Sequence, residues 1–302
     1  MSKTSKSPKR VLKVAYEVGN EVLPKRWHRF SPKTYSPAQL FACLVLKAFF
    51  RCDYREIEEI LHDCPEFRAT IELRKVPTYS TLCKAEKRLL NEDTTCKLLR
   101  ETIAKALSRR QMKELVELAA IDGSGFESRH ISEHFRKRQN YSGKVVPHKK
   151  YPKLSLVVDT ATHMILAAET GRGPKPDIGD FKKLLSGAND TAKIKCVVAD
   201  AGYDAEHSHE FARDVLGILS FIPPLIGKQT SKLPTGYYRR LMRTSFDTMR
   251  YRQRWQVETV FSMLKRLLRS ALTARNSISQ SRELYLRVIT LNIMILKYFF
   301  RR

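Results

Sequence analysis

From Leu154 to Ala168 the chain reads LSLVVDTATHMILAA. Two short apolar runs, Leu154–Asp159 and Met164–Ala168, are joined by the four residues Thr160–His163, a link tight enough to imply a hairpin of buried strands. Similar runs lie on either side: Leu115–Ile121 before the hairpin, Ile194–Ala199 and Ile218–Ile222 after it. Helical patterns, Ile178–Leu185 and Ala205–Val215, separate the later runs. Three leading strands with a hairpin, followed by alternating helix and strand, predict a mixed α/β sheet rather than an all-parallel one.

Residues up to about 112 read differently, as helices. Ser36-Pro37 joins a capping side chain to a proline at the first helical position, and Leu40, Leu44, Val45 and Phe49 follow at helical spacing. Tyr54–Leu61 places Ile57, Ile60 and Leu61 on one side. Thr78-Tyr79-Ser80-Thr81-Leu82 is another capped start. The helix beginning at Ser80 turns Leu82, Ala85 and Leu89 inward and Lys84, Lys87 and Arg88 outward. A short helix with a basic outer face after a turn suits a helix-turn-helix reader of nucleic acid. An ordinary bundle helix with a solvated basic face fits the same spacing equally well.

Charge narrows the choice of partner. The 302 residues carry 56 Lys and Arg against 31 Asp and Glu, a net charge of +25. Such an excess points to a polyanion, with a membrane surface or an acidic protein well behind. The excess is uneven: Ser128–Lys153 contains one acid, Glu133, and Phe221–Arg302 only Asp247, Glu258 and Glu283. Pro223 to about Thr244 reads as a basic connection too long for a plain loop, and its Arg239, Arg240 and Arg243 are expected to touch DNA. The six cysteines show no metal-ligand spacing and read as reduced, mostly buried thiols. The opening MSKTSKSPKR leads into no apolar stretch, and Leu284–Phe300 is interrupted by Arg287, Asn292 and Lys297. Neither a secretory signal nor a spanning helix is expected, and the expected location is the cytoplasm.

Two acids close apolar runs: Asp122 after Ala120-Ile121, and Asp200 after Val198-Ala199. Each alone also fits an ordinary turn. Asp159 is read as a turn residue of the hairpin, and His207 and His209 as part of a surface helix start. A helix through Met249–Arg269 places Tyr251, Arg254, Glu258 and Lys265 within roughly 60° of one another on its wheel. Val257, Val260, Met263, Leu264 and Leu267 take the opposite side. Read alone, this is a solvated amphipathic helix with pairs such as Arg254–Glu258. Read with the two aspartates, Glu258 completes a three-carboxylate site of the kind that holds two Mg²⁺ ions about 3.5–4 Å apart for in-line phosphodiester displacement.

Tyr251, Arg254, Glu258 and Lys265 fit Y-x(2)-R-x(3)-E-x(6)-K without a gap, a signature that resembles the insertion-sequence DDE transposases. Val198–Asp204 and Asp122-Gly123-Ser124 resemble that family's stretches around its second and first aspartates. The resemblance implies an α/β protein: an RNase-H-like mixed-sheet catalytic domain at 113–302, preceded by an all-α DNA-binding domain at 1–112. It implies that Asp122, Asp200 and Glu258 bind Mg²⁺, or Mn²⁺ in its place, as two ions, while Tyr251, Arg254 and Lys265 hold DNA. The implied partners are double-stranded DNA, both transposon ends and target, and a second copy of the chain in a homodimer within a prokaryotic, nucleoid-associated complex. A DNA-binding protein without catalysis, and a nuclease of the same fold without strand transfer, are the rival readings.

Overall fold

Capping side chains start the N-terminal helices of the computed structural model, which describes residues 4–28, 30, 34–128, 150–225 and 233–296. In α1 (Pro8–Val22) Ser7 Oγ accepts the N–H of Arg10. In α2 (Pro37–Phe50) Ser36 and Gln39 form a reciprocal capping box, as Asp53 and Glu56 do for α3 (Tyr54–Asp63). α2 is buried almost without interruption from Pro37 to Leu46, so it forms the centre of the helical part. α4 (Pro65–Thr70), α5 (Tyr79–Leu89) and α6 (Glu92–Ser108) complete that part. The cap of α5 is Thr78, so the helix starts one residue before Ser80. Leu82, Ala85 and Leu89 are buried, and Lys84, Lys87 and Arg88 are exposed.

The main sheet has five strands: β2 (Ala119–Gly125), β4 (Tyr151–Asp159), β5 (Ile165–Gly173), β7 (Cys196–Ala199) and β8 (Leu219–Phe221), in the order β5-β4-β2-β7-β8. β4 runs antiparallel to β2 and β5, whereas β7 and β8 run parallel to β2. Three antiparallel strands followed by two parallel ones in this order make the sheet RNase-H-like. Asp159 fills the hairpin turn as a buried acceptor for Ala161 N, Thr162 N and Thr162 Oγ1.

Several sequence expectations need correction. The run Leu115–Ile121 is two strands. β1 (Leu115–Val116) pairs with β6 (Lys193–Ile194), outside the main sheet. β2 continues three residues beyond Asp122, because β4 supplies ladder partners as far as Gly125 opposite Lys153. Ile178–Leu185 divides into a 3₁₀ turn, Asp177–Asp180, and α7 (Phe181–Thr191). Ala205–Val215 divides into α8 (Glu206–Glu210) and a π turn, Phe211–Val215. His209 is fully buried and bonded to Ser220 Oγ, not on the surface, and burial pushes its pKa down to about 4. The connection before Thr244 contains α9 (Tyr237–Thr244), whose first N–H groups, of Tyr238 and Arg239, donate to the Glu206 carboxylate. Met249–Arg269 is not one helix: α10 (Thr248–Tyr251) passes through a 3₁₀ turn, Arg252–Arg254, into α11 (Trp255–Leu268). Of the cysteines only Cys43 and Cys196 are buried, and Cys96 is exposed. Most of the basic stretch 128–153, part of the 223–244 connection and the end of 284–300 lie outside the described residues.

The last described elements tie the two parts together. A two-residue strand, β9 (Ala271–Leu272), pairs with β3 (Glu127–Ser128) and leads to α12 (Ser277–Ile295). α12 is buried from Leu284 to Ile295 and packs on α1, α2 and α6 as well as on β4 and β5. Arg287 and Asn292, which interrupt its apolar run, make internal hydrogen bonds. Fully buried Asn292 donates to Thr102 Oγ1 at 3.0 Å and Ile165 O at 2.9 Å, and accepts from Ile165 N at 2.9 Å. Helical part and sheet thus share one continuous core. Among the described residues no helix is long and apolar enough to cross a membrane.

Candidate active site

β2 and β7 run parallel in a register that pairs Ile121 with Ala199. The next residue on each is an aspartate, so Asp122 and Asp200 emerge side by side on neighbouring strands about 4.8 Å apart. β7 ends there, and Asp200 caps the following 3₁₀ turn (Ala201–Tyr203) by accepting the N–H of Gly202. Asp122 lies within β2, half-buried, with Oδ1 accepting the N–H of Gly123 at 2.8 Å. α11 lies across β2 and β4 on a buried face made by Val257, Val260, Phe261, Met263 and Leu264, with Leu268 buried near its end. Leu267, expected among them, is only half-buried. That packing fixes Glu258 in the first turn of α11, where the helix dipole favours a carboxylate.

Arg254 joins the acids. Its guanidinium donates to Asp122 Oδ2 at 3.3 Å and pairs with Glu258 Oε1. Tyr251 packs on Phe246, and burial raises its pKa, aided by the charges of Asp200 and Asp122. Nearly two helical turns beyond Glu258, Lys265 Nζ donates to Ser124 Oγ at 2.8 Å and lies 5.1 Å from the Phe126 ring centroid. Asp122, Ser124, Glu258, Ser262, Lys265 and Arg266 line an open cleft of about 590 Å³. Although the 3₁₀ turn takes Tyr251 and Arg254 off the helix that carries Glu258 and Lys265, all four reach the same end of the sheet. Among the described residues no three Asp, Glu, His or Cys side chains converge closely enough to hold an ion. Three neighbouring carboxylates repel one another without a cation, and Arg254 supplies the positive charge between two of them.

Burial pushes the Asp122 carboxyl up to about 6; the Gly123 N–H and Arg254 oppose this, while the charges of Asp200 and Glu258 add to it. The folded protein therefore holds this proton more tightly than the unfolded chain, where the pKa is near 3.8. Stability falls as pH rises between those two values and stays lower above them. At about 1.4 kcal/mol per unit the loss is about 3 kcal/mol. Asp122→Asn, which cannot ionise, is expected to melt several degrees above wild type at pH 8 in EDTA, with the gap closing below pH 4. Calorimetry at the two pH values checks this, and equal melting at pH 8 would show that Asp122 pays no burial penalty.

Sequence reading missed the support behind these strands. Gly123 faces away from Asp122, and a Cβ there would meet Asp177 Oδ1 at 2.6 Å and Lys153 Cε at 3.0 Å. Asp177 pairs with buried Lys153, whose Nζ also donates to Lys175 O at 2.8 Å. Tyr203 is fully buried nearby, its pKa raised by burial and by the charges of Asp177 and Asp122. The one sequence signal was the pair of acids, Asp177 and Asp180, at the head of a helix.

The expected DNA contacts divide. Lys84, Lys87 and Arg88 are exposed on α5, with the Arg88 guanidinium 5.8 Å from the Trp27 ring centroid. Arg240 and Arg243 are exposed on α9. Arg239 is not available: its Nε and Nη2 grip the Asp204 carboxylate at 2.7–3.0 Å, and that carboxylate has 0% exposure.

The family model described as Transposase DDE domain matches residues 117–293, more than half of the chain and the whole site. The chain belongs to the DDE transposases. A second model, Transposase domain (DUF772), matches residues 12–88 of this transposase, within its helical part. No curated protein sequence matches it. Three solved structures are similar over most of its length. The crystal structure of the Mos1 strand transfer complex has 13% identity over 91% of this chain and 79% of that one, with a TM-score of 0.29. A Mos1 transposase paired-end complex with left transposon end has 13% identity, coverages of 91% and 80%, and a TM-score of 0.25. A pre-cleavage Mos1 transpososome has 12%, 94% and 85%, and 0.25. Likeness at that level adds little to the strand order and the family match. DDE transposases break and rejoin DNA strands, and the family works with divalent metal ions.

Proposed function

We propose that this transposase binds the terminal inverted repeats of its own insertion sequence and moves the element by cut-and-paste, with Asp122, Asp200 and Glu258 as the metal-binding and catalytic residues. The observation that carries the reading is the register of β2 and β7, which brings two aspartates side by side beneath an α11 carboxylate. The donor set suits a hard cation such as Mg²⁺ or Mn²⁺: carboxylates supply the charge, and among the described residues no thiol or imidazole lines the cleft. Bound there, a pair of ions supplies Lewis-acid activation of the attacking oxygen and stabilises the leaving one.

The chain's own residues do the rest. With cations held by the carboxylates, Arg254 would be free to turn its guanidinium to a phosphate, where two parallel N–H donors fit two oxygens. Lys265, steadied by Ser124, holds the backbone on the other side of Glu258, and Tyr251 sits beside the scissile nucleotide. Water attacks the phosphodiester at the element end, breaking its P–O3′ bond to leave a 3′-hydroxyl on the element and a 5′-phosphate on the flank, and that hydroxyl then attacks a target phosphodiester and expels a target 3′-hydroxyl. The exposed cations of α5, with Arg240 and Arg243, add affinity that falls with salt. Residues 1–112 read the ends and 113–302 do the chemistry, in a homodimer that holds two ends together.

The test is cleavage of a duplex carrying the element's end. Cutting is expected in Mg²⁺ or Mn²⁺ and absent in EDTA, and robust cutting in EDTA would sink the metal mechanism.

A further inference from the structure

We propose that the cleft between α5 and the α11–α12 connection holds the backbone of the transposon end about five base pairs from the scissile phosphate, on the element side. The inference rests on the reading above, that this transposase cuts its own ends. The cleft measures about 700 Å³ and runs between the helical part and the segment that follows α11. Lys87 of α5 lines one wall, and Arg269, Arg275 and Arg282 line the other. Among the described residues none of these four has a carboxylate partner within ion-pair distance.

The acids in the same cleft are already occupied. Asp53 and Glu56 cap α3, and Glu86 pairs with Lys47 at 3.4 Å. Glu283 accepts the N–H groups of Thr273 and Ala274 and pairs with Arg287 at 2.6 Å. Capping leaves Asp53 and Glu56 charged, so the lining sets five cations, Lys47, Lys87, Arg269, Arg275 and Arg282, against four acids, and the unpaired positive charge is concentrated on the arginine wall, where a phosphate backbone would lie.

The arginine wall is held in place. Arg269 has φ +77°, a conformation that side-chain-bearing residues adopt rarely and only where the surroundings enforce it. Buried Arg287 enforces it by donating to Arg269 O at 2.7 Å and Ala271 O at 2.9 Å. β9 pairing with β3 anchors the same segment to the chain that leaves β2, the strand of Asp122. The connection is therefore preset, and binding pays little to order it.

Position gives the register. Arg269 follows Glu258 by eleven residues along α11, about 16 Å at 1.5 Å per residue. For a duplex lying along α11, at about 3.4 Å per base pair, that is about five base pairs. The opposite wall belongs to α5, the proposed reader of the ends, so the duplex in the cleft is the element's own end and not the target.

The test uses the full chain and duplexes of equal length with and without the terminal repeat. Ethylation of phosphates about five base pairs inside the element should block wild-type binding. In Arg269→Gln/Arg275→Gln/Arg282→Gln, affinity for the end duplex at 0.15 M salt should fall at least tenfold, and the salt slope should flatten by about two to three units. Arg275→Gln/Arg282→Gln, which leaves the strained position untouched, should show the same trend in smaller measure. Unchanged affinity and slope in a folded triple variant, or no ethylation interference near the fifth base pair in wild type, overturns the cleft assignment. So does a variant that binds and cuts ends normally but fails only in joining them to target, which would give the cleft to target DNA. If wild type itself neither prefers nor cuts the terminal repeat, the failure belongs to the reading of function instead.

Discussion

Asp122→Asn, Asp200→Asn and Glu258→Gln should each lower cleavage of an end duplex by roughly 10⁴-fold, the scale on which catalytic residues that act as a unit fail when one is removed. Duplex affinity should hold. Each substitution keeps the shape of the side chain and removes one negative charge, so repulsion of phosphate can only decrease. The three are expected to be equivalent in effect although their surroundings differ: Asp122 half-buried in a strand, Asp200 capping a turn, Glu258 more exposed on a helix. Gel-shift and single-turnover cleavage on the same preparations separate binding from chemistry. Measurable cutting by any one purified variant takes that residue out of the site, and a loss of binding parallel to the loss of cutting would point to a misfolded site.

The second large effect concerns stability. Among the described residues, Arg239→Ala leaves the buried Asp204 carboxylate with only the Leu225 N–H, at 2.7 Å, as partner. Breaking one side of a buried pair costs about 3–5 kcal/mol, or about 10 °C in melting temperature for a chain of this size. Arg240→Ala and Arg243→Ala, on the exposed side of the same helix, should stay within about 0.5 kcal/mol of wild type. Replacing Asp204 and Arg239 together with Ala should recover part of the loss. If Arg239→Ala melts with wild type, the pair contributes nothing, and Arg239 returns to the candidates for DNA contact.

The same arginine shows how far sequence reading reached. Apolar runs bounded by turns located the five strands of the main sheet, because burial is written in consecutive residues. β2 was cut short at Asp122, since Gly123-Ser124-Gly125 has no apolar pattern and is held in the ladder by β4 alone. The signature at Tyr251, Arg254, Glu258 and Lys265 led to four residues that do meet at one end of the sheet, although by way of a 3₁₀ turn instead of one helix. Pairings between distant polar groups left no local trace. Arg239 with Asp204, Lys153 with Asp177, and Asn292 with Thr102 and Ile165 depend on which elements come to lie together, and a string of basic residues reads the same whether its members are free or engaged.

Asn292 carries a consequence for shortened forms of the chain. Its amide stitches the first hundred residues to the sheet from a helix near the other end of the chain. A shortened product that kept residues 1–112 but lost α12 would lack that bonding. Here such a product would expose the faces of α1, α2 and α6 that α12 covers, and would aggregate or be degraded before reaching DNA. A product shortened before α12 is thus expected to be recovered aggregated or degraded, not as a folded helical domain.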